Sequence, residues 1–283
     1  MARSVPSPPP SVYAEEGTAA HALCELQARH YILDSLGVRA YKQGIVDWRK
    51  QFKDVVTDEN EMFLHAARYL ELLKEKLANH PNSALLLEQR LDTGVPSCWG
   101  TSDTVIVSPD TIVCVDLKYG KGHLVGAIEN PQLRLYGVGA LEAFGDLLGE
   151  VATVEMTIFQ PRLDHISTEV LPATELRAWR DSIIPIAELA LGHDAPFNPS
   201  DEACRWCPAS GQCEAQMRYA TAMDFGVQPE TLTPEDLADA LNRIPMIEAW
   251  CAAVKDYALD LVYSRRGTVP GYKVVMSGGR RSV

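Results

Sequence analysis

The stretch 111-TIVCVDLKYGKG-122 decides how the rest of the chain is read. Its front half is the apolar, β-branched filling of a strand buried on both faces. It then ends in Asp116-Leu117-Lys118, followed by the glycine-flanked Lys121. Three readings compete: a strand with a solvated charged end, a degraded phosphate-binding loop, and a strand end that binds metal. The phosphate-loop reading is weak, because the G-x-x-x-x-G-K-[ST] spacing is absent and no helix follows the strand directly.

Working outward, residues 98-CWGTSDTVIV-107 read as a second strand, joined to the first by 108-SPDT-111. A turn centred on Pro109 and Asp110 makes the pair a hairpin, sets Asp103 opposite Asp116, and leaves Lys118 on the face of Asp116. Pro-Asp suits a type I turn, whereas tight hairpins favour the primed types, so a longer loop or a bulge is the competing register. Two facing carboxylates repel each other unless a divalent cation lies between them. Hard oxygen ligands suit Mg²⁺ or Mn²⁺. Such an ion lowers the pKa of bound water and neutralises charge on an attacked phosphate, while the lysine orients the nucleophile or stabilises the transition state. The plainer alternative is an exposed Asp116–Lys118 pair with Asp103 merely ending its strand.

The flanks supply the remaining elements. Residues 13–37 read as a helix entering at Glu15–Thr18 and closed by Gly37. Met62, Phe63, Ala66, Tyr69, Leu70, Leu73 and Leu77 recur at helical spacing, and Asn79-His80-Pro81 stops that helix. A first strand, 84-ALLLEQRLD-92, precedes the hairpin. Asn130 caps a helix that opens with Pro131, and strands follow at 150–162 and 166–171. From Thr174 the chain is mostly helical, broken by a cysteine-bearing loop at 197–214, and a last helix starts at Thr233-Pro234. The expected fold is α/β, with a core ordered helix, three strands, helix, strand and added helices at both ends. Its expected parts are a flexible lead-in at 1–13, a core at 14–215 that includes the cysteine loop, and a mostly helical extension at 216–283.

The order of elements and four local patterns resemble the PD-(D/E)xK nuclease superfamily, the restriction-endonuclease-like fold. The patterns are Gly100-x-x-Asp103, Asp116-x-Lys118, Gln132-x-x-x-Tyr136, and His21 within 17-GTAAHAL-23. More narrowly they resemble its RecB-like branch, which includes iron–sulfur exonucleases associated with CRISPR and phage recombination, and in particular a phage-associated member of poorly defined role. The resemblance covers residues 14 to about 160. It implies that Asp103, Asp116 and His21 are metal ligands and that Lys118 is the catalytic lysine. Gln132 and Tyr136, one helical turn apart, would support the site or contact DNA. Glu88 and Glu25 could flank it, although each also reads as a solvated acid.

Seven cysteines occur without secretory features, which disfavours a disulfide framework. Cys24, Cys98, Cys114 and Cys251 sit in apolar segments and read as small buried hydrophobes. Cys204, Cys207 and Cys213 form a C-x₂-C-x₅-C cluster that reads as a zinc or [4Fe–4S] site, either of which wants four ligands. In the resembling exonucleases an N-terminal cysteine completes an iron–sulfur cluster. Residues 1–20 hold no cysteine, and Cys24 is the nearest candidate.

The net charge of −12 speaks against a nonspecific grip on nucleic acid, though not against a local basic groove. The concentrated basic pieces are 264-SRRG-267 and 278-GGRRSV-283. No apolar run approaches a membrane span, and a cytoplasmic protein with no membrane role is expected. The resulting expectation is a Mg²⁺- or Mn²⁺-dependent deoxyribonuclease, an exonuclease acting on DNA ends or single strands in recombination or repair. A recombinase or helicase is a conceivable partner. The alternative is a non-catalytic DNA-binding or recombination accessory protein that retains the fold.

Overall fold

The computed structural model describes residues 5, 10–148, 151–200, 203–204, 207–221, 233–264 and 267–272. Most of the Pro/Ser lead-in and the arginines of both basic pieces lie outside these residues. The chain separates into two compact units, Pro10–Ala195 and the remainder. The cysteine loop, expected with the core up to residue 215, therefore groups with the C-terminal helices.

The first unit begins with α1 (Val12–Tyr31), α2 (Val38–Gln51) and α3 (Glu59–Asn79). Helix α1 starts three residues before the expected Glu15, because the Ser11 hydroxyl accepts from Ala14 N–H at 3.2 Å and caps it. It ends at Tyr31 rather than near Gly37, and α2 follows as a separate, amphipathic helix that was not among the expected elements. Only Ile45 and Trp48 of α2 are buried. Tyr41, Ile45 and Trp48 form an apolar stripe that packs on the core shared with α1 and α3, and Trp48 Nε1–H donates to the Ala19 carbonyl at 2.8 Å.

The strands are β1 (Ala84–Asp92), β2 (Trp99–Val107), β3 (Thr111–Leu117), β4 (Thr153–Gln160) and β5 (His165–Pro172). They form one mixed sheet in the order β1-β2-β3-β4-β5. Neighbours are antiparallel except β3 and β4, which run parallel. A parallel pair needs a long crossover, and α4 (Pro131–Leu148) supplies it. Asn130 caps α4 as expected, its Oδ1 accepting from Leu133 N–H at 3.2 Å. A fifth helix, α5 (Ala173–Leu191), closes the unit.

The architecture is thus α/β, with the expected helix, three strands, helix, strand order at its centre. Helices α1 to α3 cover one face of the sheet, where Ile106, Val113, Val115 and Leu117 join their core. Helices α4 and α5 cover the other, with Val105, Ile112, Cys114 and Met156. Strand β3 is buried on both faces, which is why Ile112, Val113, Cys114 and Val115 read as an unbroken apolar run. Cys24 and Cys114 are buried among these cores, as expected of them; Cys98 and Cys251 are only partly buried.

In the C-terminal unit, α6 (Glu214–Thr221) and α7 (Pro234–Tyr263) follow the cysteine loop. Helix α7 opens at Pro234, as expected. A short 3₁₀ turn, Ser210–Gln212, lies against it so tightly that a Cβ on Gly211 would stand 2.3 Å from the Ala253 carbonyl oxygen. Among the described residues, no helix is long and apolar enough to cross a membrane.

Candidate metal centre

The β2–β3 hairpin has the register that Asp103 opposite Asp116 requires. Val107 pairs with Ile112, Ile106 with Val113, and Thr104 with Val115. One step further the ladder opens. Leu117 N–H donates to Asp103 Oδ2 at 2.7 Å, so a side chain takes a place that backbone pairing would fill. On the other side of β2, Leu87 pairs with Thr104 and Gln89 with Ser102, which brings Glu88 beside Asp103. Glu88 has φ +48°, left-handed backbone that costs a non-glycine residue on the order of 1 kcal/mol or more. The kink swaps the faces of β1. Leu85 faces the α1–α3 core, and regular alternation would send Leu91 there too, yet Leu91 faces α4.

His21 arrives from α1. Its Nδ1 stands 3.1 Å from Asp103 Oδ1. His21, Glu88 and Asp103 each offer one ligand atom, and these atoms lie within 4.8 Å of one another, the one such grouping of three among the described residues. An imidazole and two carboxylates form a donor set that suits Mn²⁺ and tolerates Mg²⁺. Asp116 completes the row of acids but is engaged differently. It is almost wholly buried, and its Oδ2 is ion-paired with Lys118 Nζ at 2.9 Å without receiving a hydrogen bond. The Lys118 ammonium is thus the cation that faces this buried acid. The donor set of His21, Glu88 and Asp103 fits a divalent ion.

The electrostatics point the same way. Burial, then the Asp103 charge, pushes Asp116 up to about 6. Burial and Asp103 likewise push Glu88 up to about 7. Burial opposes the His21 cation, but the hydrogen bond and charge of Asp103, with Asp116 and Glu88 beyond, outweigh it and raise its pKa. Acids that resist ionisation beside an imidazole that favours it describe a site short of positive charge.

Lys118 is held from α4. Its Nζ donates to Gln132 Oε1 at 2.9 Å, and Gln132 Nε2 donates to Tyr136 Oη at 2.8 Å. The Tyr136 ring in turn lies over Gly100, where a Cβ would come within 2.6 Å of Cε1. The glycine of Gly100-x-x-Asp103 is therefore the space that the tyrosine of Gln132-x-x-x-Tyr136 needs. Loop 118–130 is fixed from β4, since Gln160 accepts from Val125 N–H at 2.7 Å and donates to the His123 carbonyl at 3.0 Å.

Six of the sequence-predicted residues thus meet: His21, Asp103, Asp116, Lys118, Gln132 and Tyr136. Glu88 joins them more closely than its pattern suggested, because only its left-handed backbone turns it there. Glu25 instead pairs with Arg29 at 2.7 Å. Of the cysteine triplet, Cys204 and Cys207 line a cavity of about 250 Å³ in the C-terminal unit, and Cys213 lines another. Cys24 is a buried thiol whose pKa is pushed far up by burial, poor character for a thiolate ligand.

A family model described as "Protein of unknown function (DUF2800)" matches residues 7–283. The chain belongs to this family. It is also similar to a solved structure, "Crystal structure of SSO0001", at 15% identity and a TM-score of 0.27, over 70% of this chain and 84% of that one.

Proposed function

We propose that this member of the DUF2800 family is a metal-dependent deoxyribonuclease of the PD-(D/E)xK type, RecB-like branch, and phage-associated. The supporting observation is the meeting of His21, Glu88, Asp103, Asp116 and Lys118 at the open end of one hairpin. The matching element order and the tie from Lys118 through Gln132 to Tyr136 add to it.

His21, Glu88, Asp103 and the free side of Asp116 would hold Mg²⁺ or Mn²⁺. Such an ion supplies charge neutralisation at a phosphate and a water acidic enough to attack it. The chain does the rest. Gln132 aims the Lys118 ammonium at the mouth of the site, where it stabilises negative charge on the attacked phosphodiester. Asp103, fixed by the Leu117 amide, keeps one oxygen toward His21 and Glu88. Exonucleolytic action in recombination or repair, alongside a recombinase or helicase, is the biological setting that the resemblance suggests. A zinc or [4Fe–4S] site at Cys204, Cys207 and Cys213 belongs to the same reading, but the thiols as arranged contribute nothing to the chemistry above.

Digestion of single- and double-stranded DNA with Mg²⁺ or Mn²⁺, against a chelator control, tests the proposal. Cleavage should fall on the order of 100-fold or more in Lys118→Ala and in Asp116→Ala. Wild type as inert as both variants on every substrate sinks the enzyme reading; DNA binding without cleavage would favour the accessory protein.

A further inference from the structure

Beyond Glu88 and Asp103, β1 and β2 run on as a two-stranded arm in which Arg90 pairs with Thr101 and Asp92 with Trp99. Strand β3 ends at Leu117, so the outer part of the arm projects past it. Leu91 is buried toward α4, and alternation therefore sends Arg90 and Trp99 to the opposite face. That is the face from which His21 reaches Asp103. There the Arg90 guanidinium lies 4.0 Å from the centroid of the Trp99 ring, and Trp99 is still 60% exposed.

The tip of the arm is tied to itself. Thr93 Oγ1 donates to the Cys98 carbonyl at 2.8 Å, Gly94 N–H to Asp92 Oδ1 at 3.0 Å, and Cys98 N–H to the Val95 carbonyl at 3.0 Å. Val95 is buried beneath them. The indole is thus carried on a rigid mount rather than a loose loop, so little order remains to be imposed when a ligand arrives.

A guanidinium stacked on an indole makes a flat cationic surface, and its natural complement is a planar ring carried on an anionic chain. An unpaired nucleotide has both parts. At about 3.3 Å per residue, Arg90 stands roughly 7 Å along from Glu88, and Trp99 roughly 13 Å from Asp103. That is within a few nucleotides of the candidate metal centre. The net charge of −12 gives little general attraction to phosphate, so stacking would add materially to the hold on a strand.

We propose that Arg90 and Trp99 form a stacking platform for an unpaired base of the strand whose phosphodiester lies at Asp103 and Asp116, making single-stranded or frayed DNA the favoured substrate. The proposal rests on the nuclease reading for its substrate strand, though not for its binding contact. A duplex, whose bases are already stacked on one another, would not use the platform.

The test is fluorescence anisotropy with a labelled 20-nucleotide single strand and a duplex of equal length, in chelator, on the full chain. Wild type should bind the single strand more tightly than the duplex. Trp99→Ala should weaken single-strand binding about tenfold, leave duplex binding unchanged, and be largely rescued by Trp99→Phe. Single-strand affinity unchanged in Trp99→Ala, or equal loss on both substrates, overturns the platform whatever the cleavage result. A protein that binds single strands through Trp99 but cuts neither substrate with Mg²⁺ or Mn²⁺ loses the nuclease reading and keeps the binding site.

Discussion

At its turn end the β2–β3 hairpin is saturated. Ser108 N–H donates to the Thr111 carbonyl at 2.9 Å, and the Ser108 hydroxyl both donates to that carbonyl and accepts from Thr111 N–H. Val107 and Ile112 face each other there, both buried. At its open end, a few residues away, the same two strands carry Asp103 and Asp116, a carboxylate oxygen without a hydrogen bond, and a neighbour, Glu88, in left-handed backbone. One end of the hairpin holds the fold together while the other spends stability to keep a charged site assembled.

Damage at the two ends should therefore look different. Ile112→Ala at the saturated end removes a fully buried side chain and should lower stability by about 2–5 kcal/mol in urea unfolding. A much smaller loss would mean that the turn end is not the anchor. Gly100→Ala at the open end pushes a methyl into the Tyr136 ring and strains packing by roughly 1–3 kcal/mol. Its sharper effect should be on DNA cleavage, because the displaced tyrosine loosens Gln132 and, through it, Lys118. A variant that lost stability but kept full activity would cut that chain of contacts.

The smallest effect is on pH dependence. Glu88 and Asp116 are raised to about 7 and about 6, and His21 is raised as well. Each group binds its proton more tightly folded than unfolded. Its contribution is thus fully present below its unfolded pKa and fades as pH rises through the folded one. In chelator, the melting temperature should fall between about pH 5 and pH 8. Glu88→Gln should flatten that decline, and added Mn²⁺ should restore more at the upper pH than at the lower. A slope identical in wild type and Glu88→Gln would mean that the open end stores no such electrostatic load.

The sequence made the hairpin legible because its information is local: a Pro-Asp turn and period-two alternation suffice to align Asp103 with Asp116. The spacing of Gln132 and Tyr136 and the cap at Asn130 were equally local. What stayed hidden depends on tertiary bonds or on backbone that no pattern announces. Helix α2 is an exception: Tyr41, Ile45 and Trp48 make a stripe that was there to be read, and the Trp48 bond to α1 adds to it. Glu88 reads as a solvated strand acid until its φ is seen, and Arg90 and Trp99 read as unrelated residues until β1 and β2 are paired.

The bond from Leu117 N–H to Asp103 Oδ2 gives the molecule a native sensor. A backbone amide that donates to a carboxylate responds, in its proton chemical shift and its hydrogen exchange, to whatever that carboxylate binds. The occupancy of the candidate centre is therefore written into one amide resonance of β3, readable in solution without a probe, a substrate or a turnover.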